Sequence, residues 1–359
     1  MPPQTRSVAA LAATLLTSTA LAAEIVVGRD SSPTVITEFR TFSVNGSTIA
    51  QTGSVQPFGP SFRGGVRVAM GDVNHNGTRE VIGATGPDAN VVSNTNTFDS
   101  TPGSTNYSTF PYVNFHGGLY IAAGNVNGNG FDDMVIGPGP GMSPLVRVFD
   151  GGTTTFIHAF NAFDPQYAGG VRVAAGDLTG DGLADIFCAT GPGAPGQIKV
   201  FNGVSLAVER NFFPFGPAFT GGVFVAAGDV SGDGRADIVA AEDSDPNGQP
   251  MVRVFDGVTL QQLASFNAFD PTFTGGVRVA VADVNGDGRG DIVAGTGPGA
   301  PPVVKLFSGE DLSVLGQFNA FEPGFTGGVF VGAVVPEPFT GSVMAVGCAL
   351  FLARRRVRR

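Results

Sequence analysis

A glycine pair, an apolar run, an acidic loop and a second apolar run return along this chain at a nearly constant interval. The fullest copy is Gly275 to Gly295, GGVRVAVADVNGDGRGDIVAG. Further copies begin at Gly64, Gly117, Gly169 and Gly221, and a truncated copy at Gly327, so successive starts lie 53, 52, 52, 54 and 52 residues apart. A period of this length defines a repeat array, because a unit that small cannot bury a core alone. The 359 residues are therefore read as one array rather than as two unrelated domains.

The unit at Gly169 gives the local structure. Val171 to Ala175 alternates with period two, as a half-buried strand does. Asp177 to Asp185 is a loop, Ile186 to Thr190 a second strand and Gln197 to Phe201 a third. Asn202-Gly203 is a hairpin signal, and Leu206 to Phe213 is the fourth strand. Four short strands in about 52 residues fit a propeller blade. The chain has 54 glycines and 25 prolines, and they recur at fixed places in the period, so they mark turns. Val, Ile, Phe and Thr fill the runs between them, which points to an all-β fold.

The two ends carry the topological information. Ile25 to Gly28 matches a second strand, Thr34 to Phe42 a third, and Thr48 to Phe58 a fourth with its exit. Gly327 to Ala333 is a first strand with nothing after it. Joined, the ends make one blade and close a ring, which leaves few exposed edges. The expectation is a β-propeller of six four-stranded blades, five continuous and one composite.

Three loops share one acidic pattern. They are Asp177/Thr179/Asp181/Asp185, Asp229/Ser231/Asp233/Asp237 and Asp283/Asn285/Asp287/Asp291. Oxygen-bearing side chains stand at loop positions 1, 3, 5 and 9, with glycine at 6. Position 7, held by Leu183, Arg235 and Arg289, can offer its backbone carbonyl. Ca²⁺ takes six to eight oxygen ligands, and glycine permits the sharp turn. Three carboxylates converging in one loop repel one another unless a cation neutralises them, so a structural Ca²⁺ is expected in each. Asp72/Asn74/Asn76/Glu80, with Thr78 at position 7, keeps two acids. Asn125/Asn127/Asn129/Asp133 keeps one. Fewer charges mean lower affinity. A hairpin turn that favours Asp, Asn and Gly is the simpler reading of such a loop, and it does not account for the carboxylates at positions 1, 5 and 9 together.

These loops, with the Gly-Pro-Gly-Ala-Pro turns at Gly191 and Gly297, resemble the FG-GAP (VCBS-type) repeats of integrin α-subunit propellers and of many secreted bacterial proteins. The resemblance covers about residues 25–333 and implies a propeller with calcium in the loop joining the first two strands of a blade. Integrin propellers have seven blades, whereas this phasing gives six, and the unit here is shorter.

Both ends read as addresses. Residues 1–22 carry Arg6, an apolar stretch and Ala20-Leu21-Ala22, the order of a secretory signal peptide. Residues 335–359 run Val335-Pro336-Glu337-Pro338, a short apolar segment and an arginine cluster. This order resembles the PEP-CTERM sorting signal of Gram-negative bacteria. It implies recognition by an exosortase, transient membrane contact and delivery to the cell surface or the exopolysaccharide matrix. A plain membrane anchor with cytoplasmic arginines is the other reading. The propeller then spans 23–334.

The formal net charge is −10. Removing both addresses leaves 14 basic and 29 acidic residues, a surface that repels nucleic acid and anionic lipid and favours cations. The two cysteines, Cys188 and Cys348, imply no disulfide framework, and Cys188 reads as a small buried residue. His75, His116 and His158 fall in different units, and no G-x-S-x-G, H-E-x-x-H or phosphate-binding glycine loop is present. The expected role is a non-catalytic adhesion, ligand-binding or structural module whose partner is an extracellular protein or polysaccharide. A polysaccharide hydrolase or lyase with a site assembled across blades is the alternative. The repeated aromatic exits, Phe160 to Pro165, Phe213 to Pro217, Phe266 to Pro271 and Phe318 to Pro323, read either as packing between blades or as a ligand platform. The Asn/Ser/Thr-rich stretch Gly86 to Phe115 departs most from the repeat.

Overall fold

The structure is a computed structural model that describes residues 22–99 and 105–333. Apart from Ala22, both address segments lie outside the described residues. Twenty-four strands form six four-stranded antiparallel sheets. We number the blades I to VI from their innermost strands: Val66–Gly71, Leu119–Gly124, Val171–Gly176, Val223–Gly228, Val277–Ala282 and Val329–Ala333. Each innermost strand packs on the next, and blade VI packs back on blade I. The molecule is a six-bladed β-propeller.

Blade VI is composite, as the phasing requires. Its order is Val329–Ala333, Ala23–Arg29, Phe39–Asn45 and Thr48–Val55. Ile25 stands opposite Ala333 and Arg29 opposite Val329. The third strand begins at Phe39 rather than Thr34. Residues 34–38 instead cross toward blade I, where the Thr37 hydroxyl accepts from Gly65 N at 3.2 Å. On the other flank, the Arg29 and Arg40 guanidinium groups grip Glu322 of blade V at 2.8 and 2.9 Å. Arg29 also lies 4.4 Å above the Phe321 ring.

The innermost strands are not half-buried. Five of the six are buried along most of their length, including Arg172, because a blade is sandwiched between two neighbours; Leu119–Gly124 is buried at half of its residues. Alternation appears in the third strands, and the fourth strands are largely exposed. Phe160 meets Phe201, Phe212 meets Phe255, Phe266 meets Phe307 and Phe318 meets Phe42, each pair across a blade boundary with centroids 4.6–5.1 Å apart. The fourth-strand aromatics thus serve packing between blades. Cys188 is fully buried in this core, and burial pushes its thiol up.

The glycine pair has two separate causes. Its second member takes a left-handed φ in all six blades, for example +79° at Gly65 and +92° at Gly328, a conformation glycine adopts without a steric penalty. Its first member lies against an aromatic ring two residues back: a Cβ at Gly64 would sit 2.6 Å from Phe62, and one at Gly275 2.5 Å from Phe273.

Asn202-Gly203 does not make a two-residue hairpin. Leu206 N donates to Asn202 O at 2.9 Å, and Asn202 N donates to Ala207 O at 2.8 Å. The turn therefore holds four residues and closes with Leu206 at φ +58°. Thr154, Leu260 and Leu312 do the same in blades II, IV and V. The divergent stretch 86–115 supplies the two outer strands of blade I, Thr95–Phe98 and Thr105–Thr109.

Closure by strand pairing predicts a specific failure. Removing residues 329–333 should leave Ala23–Arg29 as an unpaired inner edge and expose the faces of blades I and V. Size-exclusion chromatography should show self-association, and thermal melting should lose its single cooperative transition. A monomer that melts like the parent would refute this account of closure.

Candidate metal loops and the propeller axis

The loop joining the first two strands is built the same way in blades III, IV and V. The position-1 carboxylate folds the loop around itself. Asp177 accepts from Gly180 N, Asp181 N and Gly182 N at 2.6, 3.2 and 2.7 Å. Asp229 and Asp283 repeat this set on residues 232 to 234 and 286 to 288. At position 5, Asp181, Asp233 and Asp287 accept from the N–H of Leu183, Arg235 and Arg289 at 2.8–2.9 Å. Position 3 lies beside them. Ser231 Oγ is 3.5 Å from Asp229 Oδ1, and Asn285 Nδ2 donates to Asp287 Oδ2 at 2.8 Å. Thr179 Oγ1 is buried with no hydrogen-bond partner within the protein, so it is free to serve as a ligand oxygen. Positions 1, 3 and 5 therefore fit a hard cation on the outer side of these loops.

Position 9 does not join them. Asp185, Asp237 and Asp291 begin the second strand and are at most 1% exposed. Asp185 Oδ2 accepts from Leu178 N and Thr179 N at 3.0 Å, while Oδ1 accepts from Gly203 N at 3.1 Å in the turn between the third and fourth strands. Asp291 binds Val284 N, Asn285 N and Gly309 N in the same way, and Asp237 binds Ser231 N and Gly257 N. This acid ties two turns of one blade together. Among the described residues no three acidic, imidazole or thiol groups come together at one point, so the expected convergence of three carboxylates is not seen. The physical reason is that a buried carboxylate must be hydrogen-bonded, and the nearest donors are backbone N–H groups behind the loop. Burial raises the pKa of all three acids, against the lowering effect of those N–H bonds.

Blade II shows that the tie is independent of any cation. Its loop has asparagine at positions 1, 3 and 5, yet Asp133 makes the same bonds to Val126 N, Asn127 N and Gly151 N at 2.9–3.2 Å. Asn127 and Asn129 donate to Asp150 Oδ2, so this loop is satisfied by the protein itself. In blade I, Asp72 accepts from Asn76 N and Gly77 N, and Glu80 accepts from Val73 N and Asn74 Nδ2. The Thr78 hydroxyl turns back to Asn76. Burial raises Asp133 to about 6 and Glu80 to about 7.

Successive loops are joined into a belt. The N–H at position 8 donates to the position-1 carbonyl of the preceding loop: Asp132 to Asp72, Ala184 to Asn125, Ala236 to Asp177 and Gly290 to Asp229, at 2.6–3.0 Å. The position-7 side chain also reaches back onto position 4 of that loop. Phe131 packs on His75 at 5.2 Å between ring centroids, and Leu183, Arg235 and Arg289 lie over Gly128, Gly180 and Gly232. Reading position 7 for its carbonyl alone misses this role.

The axis holds a second constellation that motif reasoning passes over. The second residue of each innermost strand is, in ring order, Arg67, Tyr120, Arg172, Phe224, Arg278 and Phe330. The three aromatic rings face one another at 6.1–6.4 Å. Each guanidinium sits between two of them at 4.8–5.5 Å. Such contacts are worth about 0.5–2 kcal/mol each. The signal lay in the sequence as an alternation between odd and even repeats, GGVRV against GGLYI or GGVFV.

The tie makes a testable statement about stability. Asp133→Ala should orphan three buried N–H groups and cost on the order of 3 kcal/mol, read as a lowered denaturation midpoint. Asp133 also has a folded pKa above its unfolded value. Its contribution is therefore complete below about pH 4 and is lost as pH rises through about 6. Asp133→Asn should flatten the stability profile across that window. An unchanged profile would count against a desolvated carboxylate at this position.

The FG-GAP-like repeat family matches residues 125–188 and 229–294. Each window runs from position 1 of an acidic-type loop, in blades II and IV, into the second strand of the following blade. Among solved structures, the chain is similar to the rhamnogalacturonan lyase PL11 of Bacillus licheniformis, with 13% identity over 80% of this chain and 70% of that chain and a TM-score of 0.40. It is also similar to the Dos1 propeller, at 12% identity over 79% and 68% with a TM-score of 0.44. The C-terminal WD40 domain of Sif2 is similar at 10% identity over 85% and 84%, with a TM-score of 0.42. The chain is a six-bladed β-propeller that carries FG-GAP-like repeats.

Proposed function

We propose that this protein is an exported, non-catalytic propeller that binds Ca²⁺ in its acidic loops and presents that loop face to an extracellular protein or polysaccharide. The observation that carries the reading is the adjoining of positions 1, 3 and 5 on the outer side of three consecutive loops, 177–185, 229–237 and 283–291. Asp177, Thr179 and Asp181, with their counterparts Asp229, Ser231, Asp233, Asp283, Asn285 and Asp287, would hold the ion. Asp185, Asp237 and Asp291 would support each loop from behind. Ca²⁺ supplies charge neutralisation and rigidity here, with affinity on the order of 10⁻⁴–10⁻³ M as in other extracellular modules.

The described chain enters at Ala22 and leaves at Ala333, side by side in blade VI. This is where a sixth loop would otherwise stand, so the last described residue lies at the same end of the blades as the proposed calcium loops. That placement suits a module set on the cell surface or in an exopolysaccharide matrix after exosortase processing.

Calorimetric titration of Ca²⁺ into chelator-stripped protein should show three sites and raise Tm by several degrees through mass action. Asp181→Ala should remove about one site; an unaltered stoichiometry would sink the calcium reading. A partner held in pull-down without turnover fits a binding module, whereas turnover of a matrix polymer would replace it with a hydrolase or lyase. Deleting residues 335–359 should release the protein into the medium, and retention at the cell would remove the sorting reading.

A further inference from the structure

The three arginines at the axis are not equivalent. Arg172 is ion-paired with Asp243, and Arg278 with Asp30 at 3.5 Å. Each acid stands just after the second strand of the next blade and donates its own N–H to the second glycine of that blade's pair, Asp243 to Gly222 and Asp30 to Gly328. For Arg67 the next blade is II. The residue in that place is Gly139, whose N–H donates to Gly118 in the same way. Among the described residues no acid pairs with Arg67.

Arg67 is nonetheless buried, at 9% exposure. Its Nη1 reaches the Gly64 carbonyl at 3.4 Å, and its Nε has no partner. A guanidinium stays charged at any pH at which the protein is folded, and a buried unpaired charge is strongly unfavourable. The cation–π contacts with Tyr120 and Phe330 offset part of that cost but supply no hydrogen-bond acceptor. A cavity of about 60 Å³ lies at this ring, lined by the six residues and by Val68, Ile121, Val173, Val225, Val279 and Val331 beneath them. Those six aliphatic residues keep only 6–8% exposure, so the opening is narrow. The volume exceeds the ~30 Å³ share of one water and suits a ligand of a few heavy atoms. Tyr120 adds the ring's single hydroxyl.

We propose that the axial cavity binds one small monocarboxylate, of formate or acetate size, at Arg67, supplying from that cavity the carboxylate that Asp243 and Asp30 supply to the other two arginines. The chemistry is that of the neighbouring pairs: a planar carboxylate facing a planar guanidinium fork, here brought by a ligand because Gly139 has no side chain. This inference does not depend on calcium in the outer loops.

The test is calorimetric titration of sodium formate, sodium acetate and sodium chloride into the full chain, in a buffer with a bulky sulfonate anion and at fixed calcium and ionic strength. Saturable binding of one formate or acetate per chain, at least about tenfold tighter than chloride, supports the site. Equal or tighter chloride binding overturns the carboxylate assignment. Absence of saturable binding up to roughly 100 mM overturns the site itself. Arg67→Gln, which removes the charge and keeps a polar head, should weaken formate by at least about tenfold; an unchanged affinity would also overturn the proposal.

Discussion

Everything in this molecule depends on the antiparallel pairing of Val329–Ala333 with Ala23–Arg29. Each blade buries both faces of its inner strands against its neighbours, so a linear stack would leave two inner faces in water. The ring removes those faces by making the two ends of the chain share a sheet. The seam is fitted on both sides. Gly28 lets the Val66 backbone of blade I approach where a Cβ would collide with its carbonyl, and Arg29 and Arg40 reach into blade V. This part of the fold is legible in the residue pattern alone, because the missing strands at one end complement those at the other. Strand limits are less so. Thr34 to Glu38 reads as extended chain, but Thr37 hydrogen-bonds to Phe62 and Gly65 at the entry of blade I.

The last acid of each loop has a structural duty besides any ion. Positions 1, 3 and 5 change identity between units, yet an acid stands at position 9 in all five loops: Glu80, Asp133, Asp185, Asp237 and Asp291. Spacing within a loop suggests a ligand. Besides N–H groups of their own loops, the three blade III to V acids bind a glycine N–H in the next turn, 18–20 residues later, which local spacing cannot reveal. The loop at Asn125 held the clue. It has asparagine at positions 1, 3 and 5 and an acid only at Asp133, which makes the tie.

The axis was missed by a different route. Treating the six units as copies of one motif averages away a feature whose period is two units. Arg67, Arg172 and Arg278 fall on odd blades, and Tyr120, Phe224 and Phe330 on even ones. The alternation has a physical cause. Six guanidinium groups around one axis would repel, and six aromatic rings would leave the mouth without a polar lining, whereas alternation gives every cation two π faces. The hairpin at Asn202-Gly203 failed for a related reason. The dipeptide is a good turn former, but the edge of the blade needs Gly203 N to face Asp185, and that fixes a longer turn.

The two charged features stand at opposite ends of the same strands. In blade III Arg172 is the second residue of the innermost strand, and Asp177 follows its last residue, Gly176. At about 3.3 Å per residue they are roughly 16 Å apart. Blade V repeats the arrangement with Arg278 and Asp283. The propeller thus carries its three axial arginines near one mouth, two of them paired with Asp243 and Asp30, and the acidic loops around the other. A cation in the outer loops and an anion at the axis would occupy separate sites. What couples the two ends is mechanical: the innermost strand that carries an axial arginine runs directly into the loop that the belt joins to its neighbours.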